Sequence, residues 1–218
     1  MAASHDLTRL LVLGAGTFAL DVADLISDIP GYRVDGFAVS VPPHQPGAML
    51  DGRPIYWVDE LQRFTDTHRA VCAIVSTKRR QFTQRAEALG MRFATIIHPT
   101  ARVSRRATIG DGSIVSAGVL VTAYSDIGRH VILNRGSIIG HHVAICDHAT
   151  IGPGANLAGA VRVGQRAWVG MSAVVLEQRV IGESSIVAAG SVVTRDVPAR
   201  VTVMGTPARV TQTDVEGY

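Results

Sequence analysis

Ile127-Gly-Arg-His-Val-Ile-Leu133-Asn-Arg-Gly-Ser-Ile-Ile139-Gly-His-His-Val-Ala-Ile145-Cys-Asp-His-Ala-Thr-Ile151 places an aliphatic residue at every sixth position. The register runs on unbroken in both directions. Upstream it passes through Val121, Val115, Ile109 and Val103 to Ile97; downstream it passes through Leu157, Val163, Val169, Val175, Ile181 and Val187 to Val193. Ile, Leu and Val are too small a share of an average chain for such a run to arise by chance. The residue after each aliphatic is mostly glycine or another small type (Gly110, Gly128, Gly140, Gly152, Gly164, Gly170, Gly182), and the fourth after is mostly Ala, Ser or Val (Ala107, Ser113, Ser137, Ala149, Ala155, Ala167, Ala173).

A stride of six is a short strand followed by a tight corner. The aliphatic residue points inward, and the small residues let the chain turn without steric cost. Three strides close one triangular coil of eighteen residues, and stacked coils pair their strands in parallel, roughly 4.8 Å apart. An amphipathic helix is excluded, because a stride of six does not stay on one face of a 3.6-residue period. A β-sandwich is excluded too, since its strands alternate with period two between longer turns. The spacing therefore predicts a parallel β-helix over residues 97–218.

Residues 1–96 read differently. Leu10 to Leu13 is a buried strand, Gly14-Ala15-Gly16 a tight turn, and Thr17 to Ser27 a helix with Phe18, Val22, Leu25, Ile26 and Ile29 on one face. A strand is expected over Arg33 to Val39, a Pro- and Gly-rich loop from Val41 to Gly52, and a short helix over Trp57 to Phe64 capped near Asp59. Ala70 to Val75 forms another apolar strand, Arg79 to Leu89 an amphipathic helix ended by Gly90, and Phe93 to Ile97 a last strand running into the first coil. Alternating strands and helices imply a small three-layer, Rossmann-like α/β domain with a parallel sheet.

Composition narrows the function classes. The chain has 218 residues, 47% hydrophobic and 18% charged, which supports a sizeable core and argues against intrinsic disorder. The formal charge of +3 comes from scattered arginines, Lys78 being the single lysine, so no basic tract points to nucleic acid. Cys72 and Cys146 lack Cys-x-x-Cys spacing, which disfavours a disulfide framework or a zinc knuckle and fits a reducing cytoplasm. The start, Met1 to Asp6, has no basic n-region, and Leu10 to Leu13 is far too short to span a bilayer, so neither export by a signal peptide nor a membrane anchor is expected.

Chemistry is expected where residues break the small-and-aliphatic rule. Asn134, His141, His142 and His148 fall within one eighteen-residue turn. His130 sits eighteen before His148, with Arg166 next in that column; histidines at solenoid corners are ordinarily exposed polar residues, and these two are read so. His141 differs, because Ala123 before it and Gly159 after it in its own column leave room for a ligand. No metal is expected, since Cys146 adds no ligand spacing. The Gly14-Ala15-Gly16-Thr17-Phe18 turn between strand and helix is a setting in which backbone amides hold phosphate oxygens, or in which glycines merely permit close packing. Val39-Ser40 stands where a dinucleotide fold wants a ribose-binding acid, so a nicotinamide cofactor is not expected.

These features together resemble a known family over almost the whole chain. The Gly14-Ala15-Gly16 turn, Gly36-Phe37, Gly52-Arg-Pro-Ile55, His98-Pro99, the hexapeptide array with Asn134 and Ile139-Gly-His-His142, and Gly205-Thr-Pro-Ala208 are similar to the hexapeptide-repeat sugar O- and N-acyltransferases, typified by sialic acid O-acetyltransferase and the bacterial nucleotide-aminosugar N-acetyltransferases. The resemblance implies a left-handed coil, a hand that periodicity alone does not give because crossovers favour the right. It also implies a homotrimer and transfer of an acetyl group from acetyl-CoA, a co-substrate and not a bound cofactor. Carried over residue by residue, it places the catalytic base on His141 with Asn134 and His142 beside it. It places acyl-CoA contacts on Thr150, Gly159, Met171 and Ala189 between neighbouring subunits, and the sugar nucleotide at Gly14, Ala15, Gly16, Thr17 and Phe18. Departures are His142 where the family has an acid beside its base, Thr150 where it has a histidine near the acetyl carbonyl, and Phe18-Ala-Leu20 and Val39-Ser40 in the first domain. The alternative from another class is a non-catalytic trimeric scaffold or ligand-binding protein. A carbonic anhydrase on the same solenoid would need three metal histidines, which His130 and His148 alone do not supply.

Overall fold

The structure, a computed structural model, describes residues 7–43, 45 and 47–218. Met1 to Asp6, and His44 and Pro46 of the expected loop, lie outside the described residues. The chain divides into two compact units: the residues up to Ile74 with Arg79–Ala94, and Val75–Lys78 with Thr95–Tyr218.

The first unit is built on a five-stranded sheet. Its elements are β1 (Thr8–Leu13), α1 (Thr17–Ser27), β2 (Tyr32–Val39), β3 (Met49–Leu50), β4 (Arg53–Trp57), a 3-10 helix over Val58–Phe64, β5 (His68–Cys72) and α2 (Arg79–Ala88). The strand order is β3-β4-β2-β1-β5, parallel except for the antiparallel β3–β4 edge. Leu10 to Leu13 in central β1 are fully buried, as expected of a parallel strand covered on both faces.

Several expectations for this unit change. β3 and β4 form a hairpin where the sequence suggests only loop before Trp57; Asp51 and Gly52, both at positive φ, make the turn. The 3-10 helix is capped through Trp57, whose backbone N–H donates to Glu60 Oε2 at 2.8 Å, and not near Asp59. The buried face of α1 is Ala19, Val22, Ala23 and Ile26, an i, i+3, i+4, i+7 set; Phe18 and Leu25 are half-buried and Ile29 lies past the helix end. Strand β5 stops at Cys72 instead of continuing to Val75. Phe93 makes only an isolated bridge to Ala70, and the next strand is Ile96–Ile97, so the expected strand 93–97 is split.

The second unit is a parallel β-helix of two-residue strands, from β6 (Ile96–Ile97) to β22 (Val192–Val193), one every six residues. Each aliphatic of the register is the second residue of its strand. Strands pair eighteen residues apart, as in Leu120 with Ile138 and Val121 with Ile139, and every third strand joins the same one of three sheets. This is consistent with the left-handed coil that the resemblance implies. The inward residues from Val115 to Val193 form one buried core with Ala149, Ala155, Ala167 and Ala173. Ile97 departs, being 38% exposed, and Val103 and Ile109 are half-buried, because no coil lies beneath the first turn. The coil ends in β23 (Thr202–Gly205) and β24 (Ala208–Gln212), an antiparallel pair.

Corners repeat as faithfully as strands. Every sixth residue from Gly112 to Gly190 has φ between 54° and 75°, including Tyr124, His130, His142 and His148. Side chains rarely adopt this conformation, at a cost of order 1 kcal/mol or more. From Tyr124 on, each such N–H donates to a carbonyl of the coil before, as His142 to Ala123 O at 3.1 Å and Ala160 to His141 O at 2.8 Å. His130 and His148 are buried and not exposed as expected; their rings stack 4.9 Å apart, and Gly112 leaves His130 its space.

Candidate active site on the coil

His141 and His142 turn the corner between the sheet containing Ile138–Ile139 and the sheet containing Ala144–Ile145. Both are exposed, and their Nδ1 atoms are 3.1 Å apart, so one must donate and the other accept. His142 is stacked on Tyr124 of the preceding coil at 4.9 Å, and Arg106 lies over the Tyr124 ring and donates to its hydroxyl. The second histidine is thus held from behind, and it in turn fixes the ring of the first.

The column through His141 reads Arg105, Ala123, His141, Gly159, Glu177. On the Ala123 side lies a cavity of about 490 Å³ lined by Arg102, Ser104, Arg105, Leu120, Thr122 and Ala123, among others. Two guanidinium groups and two hydroxyls give it the character of a site for an anionic, hydroxyl-rich molecule. The Gly159 side is not open, contrary to the expectation of clear space on both sides. The imidazole occupies it: a Cβ on Gly159 would lie 2.6 Å from His141 Cε1 and 2.7 Å from Nε2, with Glu177 Oε1 at 3.2 Å. Sequence reading missed Glu177; the signal was its place thirty-six residues, two coils, after His141.

Asn134 sits at the preceding corner, buried, its Oδ1 accepting from the Arg135 N–H at 2.8 Å. One flat sheet separates that corner from the His141 corner, so the protomer does not bring Asn134 to His141. Of the residues carried over for acyl-CoA, Met171 and Ala189 are exposed and share the Asn134 corner. Their backbone N–H groups make no hydrogen bond within the chain among the described residues. Gly159 is buried under His141, and Thr150 is fully buried, with its hydroxyl donating to Val75 O at 3.3 Å. Their side-chain positions are thus covered within the protomer, unlike Met171 and Ala189.

In the first unit, Gly14 and Gly16 do different work. Gly14 has φ +122° and its Cβ would stand 3.0 Å from Ala73 O, so only glycine fits the turn. Gly16 is the N-cap of α1, at φ −95°, with nothing within 4 Å of an added Cβ. Ala15 is half-buried, Thr17 exposed and Phe18 half-buried at the start of the helix. Among the described residues no group of three or more His, Cys, Asp or Glu could hold a metal ion. Nor is any described helix long and apolar enough to cross a membrane. Both cysteines are free, and burial pushes the Cys72 thiol up to about 11.

A parallel coil of hexapeptide repeats with an exposed histidine at a corner defines a class, the hexapeptide-repeat acyltransferases. No model of a known protein family matches the chain. Solved structures do. A histidine-to-asparagine mutant of perosamine N-acetyltransferase from Caulobacter crescentus, in complex with CoA and GDP-perosamine, is 30% identical, with a TM-score of 0.86 over 93% of this chain and 96% of that one. The acetyltransferase domain of PglB from Neisseria gonorrhoeae, in complex with acetyl coenzyme A, is 30% identical, with a TM-score of 0.85 over 94% and 100%. Among curated proteins, 2,3,4,5-tetrahydropyridine-2,6-dicarboxylate N-acetyltransferase of Clostridium perfringens is 60% identical over 42 residues, 19% of this chain, and the match spans only 18% of that protein. The chain belongs to the hexapeptide-repeat sugar acetyltransferase family.

Proposed function

We propose that the protein transfers the acetyl group of acetyl-CoA to an amino group of a nucleotide-linked sugar, with His141 as general base. The observation that carries this reading is an exposed imidazole in the same corner column as Arg105 and Ala123 of a cavity with two arginines and two hydroxyls, in a chain similar along 93% of its length to a structure holding CoA and GDP-perosamine. The amine lone pair attacks the thioester carbonyl while neutral His141 takes the amine proton. Collapse of the tetrahedral intermediate breaks the C–S bond, and the imidazolium returns the proton to the departing CoA thiolate.

Residues 1–96 form, in this reading, the Rossmann-like domain for the sugar nucleotide, its phosphates lying at Gly14 to Phe18; residues 97–218 carry the transfer. CoA runs along Met171 and Ala189, whose free N–H groups suit the amides of its pantetheine arm. Because their corner and Asn134 are a full sheet away from His141, the site is completed by a neighbouring subunit, which supports a homotrimer. The enzyme works in the cytoplasm, where acetyl-CoA and nucleotide sugars are available.

The test is thiol release from acetyl-CoA with a panel of nucleotide-linked amino sugars, their hydroxyl counterparts and free sugars. Release with the amino sugars is expected. Release only with hydroxyl acceptors would make it an O-acetyltransferase, and none with any acceptor would favour a scaffold or ligand-binding protein.

A further inference from the structure

The amino ends of β1 and β5 lie at the opposite end of the sheet from the Gly14 turn, and they hold a second polar cluster. Thr67 Oγ1 lies 2.8 Å from His68 Nδ1, and His68 Nε2 lies 3.2 Å from Asp35 Oδ2. We propose that Thr67, His68 and Asp35 form a nucleophile–base–carboxylate relay through which the Thr67 hydroxyl accepts the acyl group of an acyl phosphate. No residue of the coil takes part in it.

A register shift between β1 and β2 aims the carboxylate. Leu10 pairs with Val34 and Leu11 with Gly36, so Asp35 is an extra residue, the kind of bulge that redirects a side chain. Burial opposes its charge, yet hydrogen bonds from Arg33 and Arg9 hold Asp35 at about 2, so near pH 7 it is ionised and only accepts. The His68 side chain is 3% exposed, and burial first and Arg9 second lower its pKa, which keeps the ring neutral. Arg33, held by Asp35, adds a weaker effect of the same sign, and the Phe64 ring meets the imidazole edge-on at 5.1 Å. Nε2 therefore carries the ring proton and donates it to Asp35. Nδ1 is left as an acceptor, and the Thr67 hydroxyl donates to it. The competing acceptor, Phe64 O, is 3.4 Å from that hydroxyl and already takes the Thr67 backbone N–H at 3.1 Å.

Thr67 is exposed and opens on a cavity of about 250 Å³ that Thr65, Asp66, Arg9, Arg69 and Arg92 also line. Arg9 is committed to Asp35, but the Arg69 and Arg92 side chains make no hydrogen bond or ion pair among the described residues, which sets two guanidinium groups against the single carboxylate of Asp66. Guanidinium groups suit a phosphate, and a hydroxyl backed by imidazole and carboxylate suits attack on an acyl carbon. An acyl phosphate combines the two. The Thr67 Oγ lone pair attacks the carbonyl carbon while the hydroxyl proton passes to His68 Nδ1. Collapse of the tetrahedral intermediate breaks the bond from the acyl carbon to the bridging oxygen, and the departing phosphate takes that electron pair and the proton from Nδ1. The products are an O-acylthreonine and inorganic phosphate.

The experiment treats the full-length protein with acetyl phosphate near pH 7 and locates the acetyl groups by peptide mass mapping. Thr65 is the internal reference, since its hydroxyl lines the same cavity but donates to Gln62 O instead of to an imidazole. Thr67 should be acetylated about 10²-fold faster than Thr65, within the range of general-base assistance. Thr67→Ser should keep the reaction and Thr67→Val should lose it, both at an exposed position. Asp35→Asn, checked for folding by circular dichroism, should slow it about tenfold or more, because an amide can donate to Nε2 and leave the ring proton on Nδ1. The rate should be level near pH 7 and fall only below the ordinary histidine value of about 6.5, where His68 gains its proton. Arg69→Gln should slow labelling by acetyl phosphate but not by 4-nitrophenyl acetate, which has no phosphate. Equal labelling of Thr65 and Thr67, no labelling of Thr67, a phosphoryl group on Thr67 in place of acetyl, or an unchanged rate in folded Asp35→Asn would each overturn the proposal.

Discussion

A Cβ built on Gly152 in the coil would lie 2.7 Å from Met171 N and 2.9 Å from Gly170 C; one built on Gly16 in the α/β unit meets nothing within 4 Å. The first contact is backbone against backbone in the next coil, and it recurs at Gly140, Gly164, Gly170 and Gly182. The second glycine opens onto solvent at a helix N-terminus. Small residues in the coil thus serve stacking, and a side chain there opposes folding. At Gly16 a side chain would oppose only whatever approaches from outside.

The comparison is broken most easily at Gly152→Val. Neither side of the contact can relax by rotating a side chain, so the loss should reach or exceed the upper end of the roughly 1–3 kcal/mol typical of overpacking. A denaturant midpoint equal to the parent's would mean that the coils do not stack as described. Ala155→Leu follows. Ala155 is fully buried against the core, one coil before Ala173, and its enlargement should cost about 1–3 kcal/mol by thermal unfolding.

Acid should separate the two units more gently. Asp35 sits at a register shift between β1 and β2 and accepts from Arg9 at 2.5 Å, Arg33 at 2.6 Å and His68 Nε2 at 3.2 Å. Burial works to raise its pKa, but the hydrogen bonds from Arg33 and Arg9 outweigh it and hold the carboxyl at about 2. Unfolded, it titrates near 3.9, so its stabilisation, of order 1–2 kcal/mol, is complete above that value and lost as pH falls towards 2. His68, lowered by burial and then by Arg9, adds a loss of the same sign that begins nearer the ordinary histidine value of about 6.5. Asp35→Asn should flatten the lower part of the pH dependence of unfolding, and an unaltered slope between about pH 4 and 2 would contradict the ion-pair account.

The smallest expected effect is at Gly16→Val. Stability should stay within about 0.5 kcal/mol, while KM for the sugar nucleotide rises roughly three- to tenfold and KM for acetyl-CoA holds. An untouched acceptor KM in folded protein would make the turn structural only.

The two units also differed in how far their sequences could be read. The coil repeats one geometric requirement at each corner, so Ile97 to Val193 announce their strands individually, and only the uncovered first turn departs from the pattern. In the α/β unit each element is met once. Alanines 19 and 23 line the buried face of α1 while the bulkier Phe18 stays half-buried, and the short β3–β4 hairpin has no periodicity to reveal it. At the candidate site, His141 was legible because it breaks the repeat, although its own ring fills the space over Gly159 that the sequence suggested was clear. Glu177, whose Oε1 lies 3.2 Å from where a Gly159 side chain would begin, was not, since a glutamate on an exposed corner looks like any solvated charge. The burial of Thr150 depended on Val75, seventy-five residues away in the chain, which no local pattern discloses.

The central claim, that His141 is the base of an acetyl transfer, is tested most directly by the turnover of purified His141→Asn with acetyl-CoA and a nucleotide-linked amino sugar. Turnover should fall by about 10²–10⁴ with oligomeric state and CoA affinity unchanged. Turnover close to that of the parent enzyme would contradict it.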